Sequence, residues 1–170
     1  ELKSKRPEDE LGTHILIESS EIQLQEPIAA QNGTSFAIKN LFYNVPARRK
    51  FLKSNTTEFK NIIDEFTRIV LTYPHIAFKL FHNNVEQFHL TAGNLKSRIT
   101  AMLGNRVEKH LIPIQEDTDL INIYGFIGKP EIATKTRGNQ FFFVNNRFIK
   151  SSYLHHAVVK AFDGLIEKDA

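Results

Sequence analysis

Between Thr57 and Tyr73 the apolar residues Phe59, Ile62, Ile63, Phe66, Ile69, Val70 and Tyr73 recur at three- and four-residue intervals, which lays one stripe along a helix. The pattern predicts a helix over 57–73, with Thr56 or Thr57 as N-cap and Pro74 as its stop. On either side the period changes. Thr13 to Glu18 and Thr34 to Ile38 are short β-rich runs introduced by Gly12 and Gly33, and Glu26-Pro27 and Gln31-Asn32-Gly33 between them read as turns. Ile76 to Phe81 and Val85 to Leu90 flank His82-Asn83-Asn84, and asparagine tolerates the left-handed conformation of a tight turn, so a hairpin is expected. Gly93 reads as a joint. Beyond it Asn94 caps a short helix with Leu95, Ile99, Met102 and Leu103 inward, and Gly104 stands where a C-terminal glycine belongs. Leu120 to Ile127 and Gln140 to Val144 read as strands, with Asn145-Asn146 turning into Phe148 to Lys150. Ser152 opens a last helix, running to about Ile166 with Tyr153, Leu154, Ala157, Val158, Ala161, Phe162 and Leu165 on one face. The predicted class is α/β (α+β), without internal repeats.

Composition narrows the class. The 170 residues are 41% hydrophobic and 24% charged, near the globular average, which excludes a disordered tail, a coiled coil or a collagen-like repeat. No apolar run approaches the length of a membrane span, so no membrane partner is expected. Without cysteine there are no disulfides, thiolate metal sites or thiol nucleophiles, which fits a reducing compartment. The chain opens at Glu1 in a charged stretch with no signal-peptide core, so an N-terminus cut from something longer is expected. Charge is uneven: residues 1–30 hold seven acids against three bases, and the rest of the chain has 19 bases against 12 acids. A modest basic excess of this kind suits phosphate-backbone binding without requiring it.

Most candidate chemistry is ruled out by spacing. The eight glycines are scattered and form no phosphate-binding loop. His155 and His156 are adjacent, so on a helix they point about 100° apart and suit surface or packing positions better than a shared metal. Glu116-Asp117-Thr118-Asp119 lacks the glycine and distal glutamate of a calcium loop and reads as a solvated acidic turn. No catalytic triad is assignable. The segment Leu41 to Lys53 (LFYNVPARRKFLK) is different in kind. Apolar and aromatic anchors bracket Arg48, Arg49, Lys50 and Lys53, with Pro46 fixing the backbone at a loop or first helical turn. Cations at a helix N-terminus oppose the macrodipole, which favours an anionic partner. The alternative is a solvated helix start whose cations serve solubility.

The same residues carry a family likeness. Gly33-Thr34, the string Leu41 to Lys53, Thr57-Glu58-Phe59, and Phe142-Phe143-Val144-Asn145-Asn146-Arg147 followed by His156-Ala157 resemble the MutL family of DNA mismatch repair proteins along the whole chain. That resemblance implies the end of a GHKL-type ATPase α/β sandwich over residues 1–92 and the start of a ribosomal-protein-like transducer domain over 93–170. It further implies an ATP-dependent coordinator that uses ATP and Mg, dimerises in full length, works with MutS on DNA and resides in the bacterial cytoplasm. The family's catalytic glutamate, magnesium-binding asparagine, DxGxG motif and GFRGEAL lid fall before residue 1, and its phosphate-reaching lysine falls after residue 170. The 170 residues alone are therefore expected to lack catalytic residues and to bind no cofactor. Thr34 is the matched position on the adenine side. Lys50, Lys53, Arg68, Arg147 and Lys150 match the DNA-binding cations, while one basic position of the family is Ser152 here. Strands in residues 1–92 should leave apolar faces uncovered, with partial disorder or self-association as the result. Two other classes fit less of the chain: a type II topoisomerase subunit, and a plain nucleic-acid-binding α/β module.

Overall fold

Four antiparallel strands build the first part of the chain: β1 (Leu2–Lys5), β2 (Gly12–Glu18), β3 (Glu21–Ile28) and β4 (Gly33–Phe36), in the order β3-β2-β1-β4. The computed structural model from which this is read describes residues 1–134 and 137–166. Two of these strands differ from the sequence expectation. Short and charged, Leu2-Lys3-Ser4-Lys5 carries little strand signal, yet it occupies the centre of the sheet, pairing with β2 on one side and β4 on the other. Glu26-Pro27 is strand rather than turn: Pro27 lies opposite Thr13 on β3, and an edge strand tolerates a residue that cannot donate to the ladder. The actual turn between β2 and β3 is Ser19-Ser20, with φ of 51° and 71°. Left-handed residues suit the strand twist, but serine does not advertise them as asparagine or glycine does. At Gly12 the neighbours leave no room for a side chain, since a Cβ would stand 2.7 Å from the Ser4 carbonyl oxygen.

Helix α1 (Pro46–Arg49) is a single turn, and α2 (Asn55–Thr72) is the long helix expected from the apolar stripe, begun two residues earlier. Its start is set by Ser54, whose Oγ accepts the Thr57 amide at 3.3 Å, so the cap is Ser54 rather than Thr56 or Thr57. The chain divides into two compact units, Glu1–Glu58 and Phe59–Ala170.

In the second unit α2 lies against the hairpin of β5 (Phe78–His82) and β6 (Val85–Leu90). Phe66 meets Phe78 edge-on at 6.2 Å and Phe88 at 5.6 Å, separations at which aromatic pairs add to area burial. Val70, Leu71 and Leu90 are the buried apolar residues of this core. The turn is Asn83-Asn84 with φ of 50° and 63°, as its residues predict. Next comes α3 (Leu95–Leu103), where Asn94 accepts the Ser97 amide at 2.8 Å and Gly104 closes the helix at φ 95°. A 3-10 turn leads into β7 (Leu111–Asp117), a strand the pattern did not reveal, paired with β8 (Asn122–Gly128). Strands β9 (Phe142–Val144) and β10 (Arg147–Ile149) turn at Asn145-Asn146, with φ of 48° and 62°. Helix α4 (Ser152–Ala161) ends five residues before Ile166, and its N-cap is Ser151, whose Oγ accepts the Leu154 amide at 3.2 Å.

Large apolar side chains remain in water, including Phe36, Ile38 and Phe51 of the first unit and Leu120 of the second. Of these, Phe36 and Ile38 lie in the 34–38 run, one of the strands expected to leave an apolar face uncovered, whereas Phe51 and Leu120 lie outside those strands.

Candidate nucleic-acid interface

In the first unit the basic string is held by local geometry. Asn40 and Phe42 adopt positive φ, and the Tyr43 hydroxyl lies 2.5 Å from the Ser19 hydroxyl on the β2–β3 turn. Pro46 starts α1 because its fixed φ suits the first helical turn, and the Lys50 amide closes the turn on the Pro46 carbonyl at 3.2 Å. Arg48 and Arg49 stand in the last turn of this helix. At a helix start, where the sequence pattern puts them, a cation opposes the dipole. In a helix of one turn the start and the end coincide, so the dipole argues neither for nor against an anionic partner here. What remains is the exposure of the string. Lys50 and Lys53 are exposed, and among the described residues no carboxylate pairs with either side chain.

The second unit carries Arg68, Arg147 and Lys150. Arg147 and Lys150 are exposed on and beside β10 and make no ion pair among the described residues. Arg68 is different. Its Nη1 is paired with Glu65 one turn earlier on α2, and its Cζ sits 4.4 Å above the Phe148 ring centroid. Phe148 also meets Phe143 at 5.8 Å and Phe141 at 6.3 Å. Arg68, Glu65, Ile69, Thr72 and Tyr73 of α2 face Asn146 and Phe148 across an open cleft of about 360 Å³. Arg68 is among the cations the family likeness points to, and Phe148 is not, because its partner is remote in the chain. Ser152, where the family has a cation, is exposed at the start of α4.

Thr34 lies on the edge strand β4, its hydroxyl 2.8 Å from that of Ser4. Among the described residues no group of three or more His, Asp or Glu side chains could hold a metal ion, and the acidic stretch at 116–119 closes a turn in which the Thr118 amide donates to the Ile121 carbonyl at 3.0 Å. The rings of His155 and His156 lie side by side, 5.3 Å between centroids and tilted by 53°, rather than converging on one point. No described helix is long and apolar enough to cross a membrane.

The architecture has known counterparts. It is similar to the Aquifex aeolicus MutL ATPase domain complexed with ADP, with a TM-score of 0.78 and 25% identity, over 94% of this chain and 61% of that one. A second crystal structure of the Aquifex aeolicus MutL ATPase domain shares the fold at a TM-score of 0.74 and 22% identity, over 97% of this chain and 62% of that one. The class is thus the mixed α/β fold of the MutL-type GHKL ATPase and transducer region. In sequence, the DNA mismatch repair protein MutL of Flavobacterium johnsoniae is 53% identical over 98% of this chain and 26% of its own length. That of Flavobacterium psychrophilum is 51% identical over 100% of this chain and 28% of its own. The family described as DNA mismatch repair protein, C-terminal domain, matches residues 99–170. The chain belongs to the MutL family of DNA mismatch repair proteins. It spans about a quarter of the length of the curated relatives it matches. Neither the topoisomerase nor the plain binding-module alternative is favoured.

Proposed function

We propose that the protein serves DNA mismatch repair as an ATP-dependent coordinator, linking mismatch recognition by MutS to strand processing and dimerising in full length in the bacterial cytoplasm. On this reading residues 1–92 close an ATPase domain, residues 93–170 open a transducer domain, and ATP with Mg acts in the full protein. This chain's own part is to contact DNA without sequence preference. The observation that carries the reading is the exposure of Lys50, Lys53, Arg147 and Lys150, without an ion pair among the described residues, at positions matching the family's DNA-binding cations. Lysine and arginine held in water act on the phosphate backbone by releasing its condensed counterions, which makes affinity fall steeply with salt. Base-edge readout is not required of such contacts. Arg68 belongs to the same surface of the second unit.

The test is an anisotropy titration of labelled duplexes of unrelated sequence over a range of salt. The expected result is saturable binding at low salt, similar for every sequence, with a log–log slope near −3 to −4, about −0.9 for each of four phosphate contacts. Absence of binding at low salt, or a flat salt dependence, overturns the reading.

Nucleotide chemistry gives a second expectation. Hydrolysis needs a positioned base for water and a metal clamp on the phosphates, and on the reading proposed here these 170 residues supply neither. Thr34 is the proposed adenine-side contact, and a single exposed hydroxyl contributes about the 1 kcal/mol of one hydrogen bond. Calorimetry on these residues alone should register no ATP binding, and a phosphate-release assay no saturable turnover.

A further inference from the structure

Among the described residues Arg68 is the one matched cation whose charge is already engaged. One guanidinium nitrogen is taken by the Glu65 carboxylate, and the plane of the group covers Phe148. A phosphate arriving at Arg68 would compete with the Glu65 carboxylate, whereas among the described residues Arg147 and Lys150 meet no such competitor. The ring beneath Arg68 is the next residue after Arg147. Successive side chains on a strand point to opposite faces, so a Phe148 held against α2 directs Arg147 away from it. Phe148 is half-buried and Arg147 is exposed, as this alternation requires. The tight Asn145-Asn146 turn before Arg147 fixes the register of β10 on β9, where Phe148 pairs with Phe143. A cation over an aromatic face is worth about 0.5–2 kcal/mol depending on desolvation, and here it ties a three-residue strand to an eighteen-residue helix.

We propose that Arg68 is a positioning residue: by stacking on Phe148 it holds the β9–β10 turn to α2 and so presents Arg147 to DNA, without contacting phosphate itself. This rests on the reading that Arg147 meets the DNA backbone.

A double-mutant cycle separates the possibilities. Duplex binding is measured across salt for the unaltered protein, Arg147→Gln, Arg68→Gln and the double variant. Arg147→Gln should reduce the salt slope by about 0.9, one phosphate contact. Arg68→Gln should reduce both affinity and slope, and the double variant should bind no more weakly than Arg147→Gln alone, because the two act through one contact. Additive losses, with the slope lower by about 1.8 in the double variant, would make Arg68 an independent phosphate ligand and overturn the inference. Phe148→Leu provides the second arm. It removes no charge, yet it should weaken binding as Arg68→Gln does, and unchanged affinity in this variant overturns the inference even if Arg68→Gln fails to fold. If Arg147→Gln itself leaves binding unaltered, what fails is the DNA-contact reading at Arg147, a result distinct from additivity in the cycle.

Discussion

Replacing Arg98 by methionine is expected to destabilise the second unit by about 3–5 kcal/mol, a large fraction of the stability of an ordinary domain. Arg98 is only 2% exposed, the most buried charged residue among those described. Among the described residues no carboxylate answers it. Instead its Nη2 lies 2.9 Å from the Pro74 carbonyl oxygen, 2.7 Å from that of Ile76 and 2.9 Å from that of Thr91, and Nη1 reaches the Val70 carbonyl at 3.3 Å. These oxygens come from the last turn of α2, the segment leading into β5 and the exit from β6, so one side chain of α3 joins three pieces of chain. Burial lowers the guanidinium pKa from its ordinary value, but arginine remains charged in proteins. The carbonyl dipoles, including one at the negative end of α2, supply the compensation. Its Cζ also stands 5.3 Å from the Phe78 ring centroid. Methionine keeps the apolar stem and removes every donor, leaving one buried and three partly buried acceptors without it, and a buried acceptor left unsatisfied costs about 1–3 kcal/mol. Lysine should recover only part of the loss, because a compact ammonium cannot reproduce the planar fork. Urea unfolding followed by far-UV circular dichroism checks both variants. A loss below about 1 kcal/mol for Arg98→Met would mean that water replaces the guanidinium and that the residue does not hold these segments together.

The contrast between Arg98 and its neighbours marks what the sequence could disclose. Asn94, Gly104, Asn83-Asn84 and Asn145-Asn146 announce themselves, since capping and left-handed turns are local demands met by few residue types. The amphipathic stripe of α2 is likewise local. The strand β1 is not, because its place at the centre of a sheet depends on β2 and β4 rather than on Leu2-Lys3-Ser4-Lys5. Ser19-Ser20 turns a hairpin that a generic reading assigns to Glu26-Pro27, since serine enters the left-handed region only when the flanking strands demand it. Arg98 looks from its spacing like one more polar residue on a short helix, and its burial is decided by carbonyls more than twenty residues earlier as well as by Thr91. The basic site divides in the same way. The string around Pro46 is readable from composition and family likeness, and the Glu65–Arg68 pair from helical spacing. The stack of Arg68 on Phe148 joins residues far apart in the chain and becomes visible only in the fold.

Reversing Lys50 and Lys53 together, as Lys50→Glu and Lys53→Glu, is expected to weaken duplex binding at low salt by about 10–100-fold and to flatten the salt slope by about 1.8. Both side chains are in water and serve no described ion pair. Lys50 contributes to the fold through its backbone amide, which closes α1 on Pro46, and the Lys53 amide donates to Glu58 Oε1 at 2.8 Å; neither bond depends on the ammonium groups. The substitutions should therefore alter stability by no more than about 0.5 kcal/mol. Two lost contacts account for the change in slope, and the added negative charge near the phosphates for the remaining loss of affinity. The weakening should be equal for unrelated sequences, because a backbone contact carries no base information. Anisotropy titrations at several salt concentrations, with thermal unfolding as the control, decide the matter. Unchanged binding by a folded double variant would restrict the DNA surface to the second unit and reduce the basic string of α1 to a solvated loop.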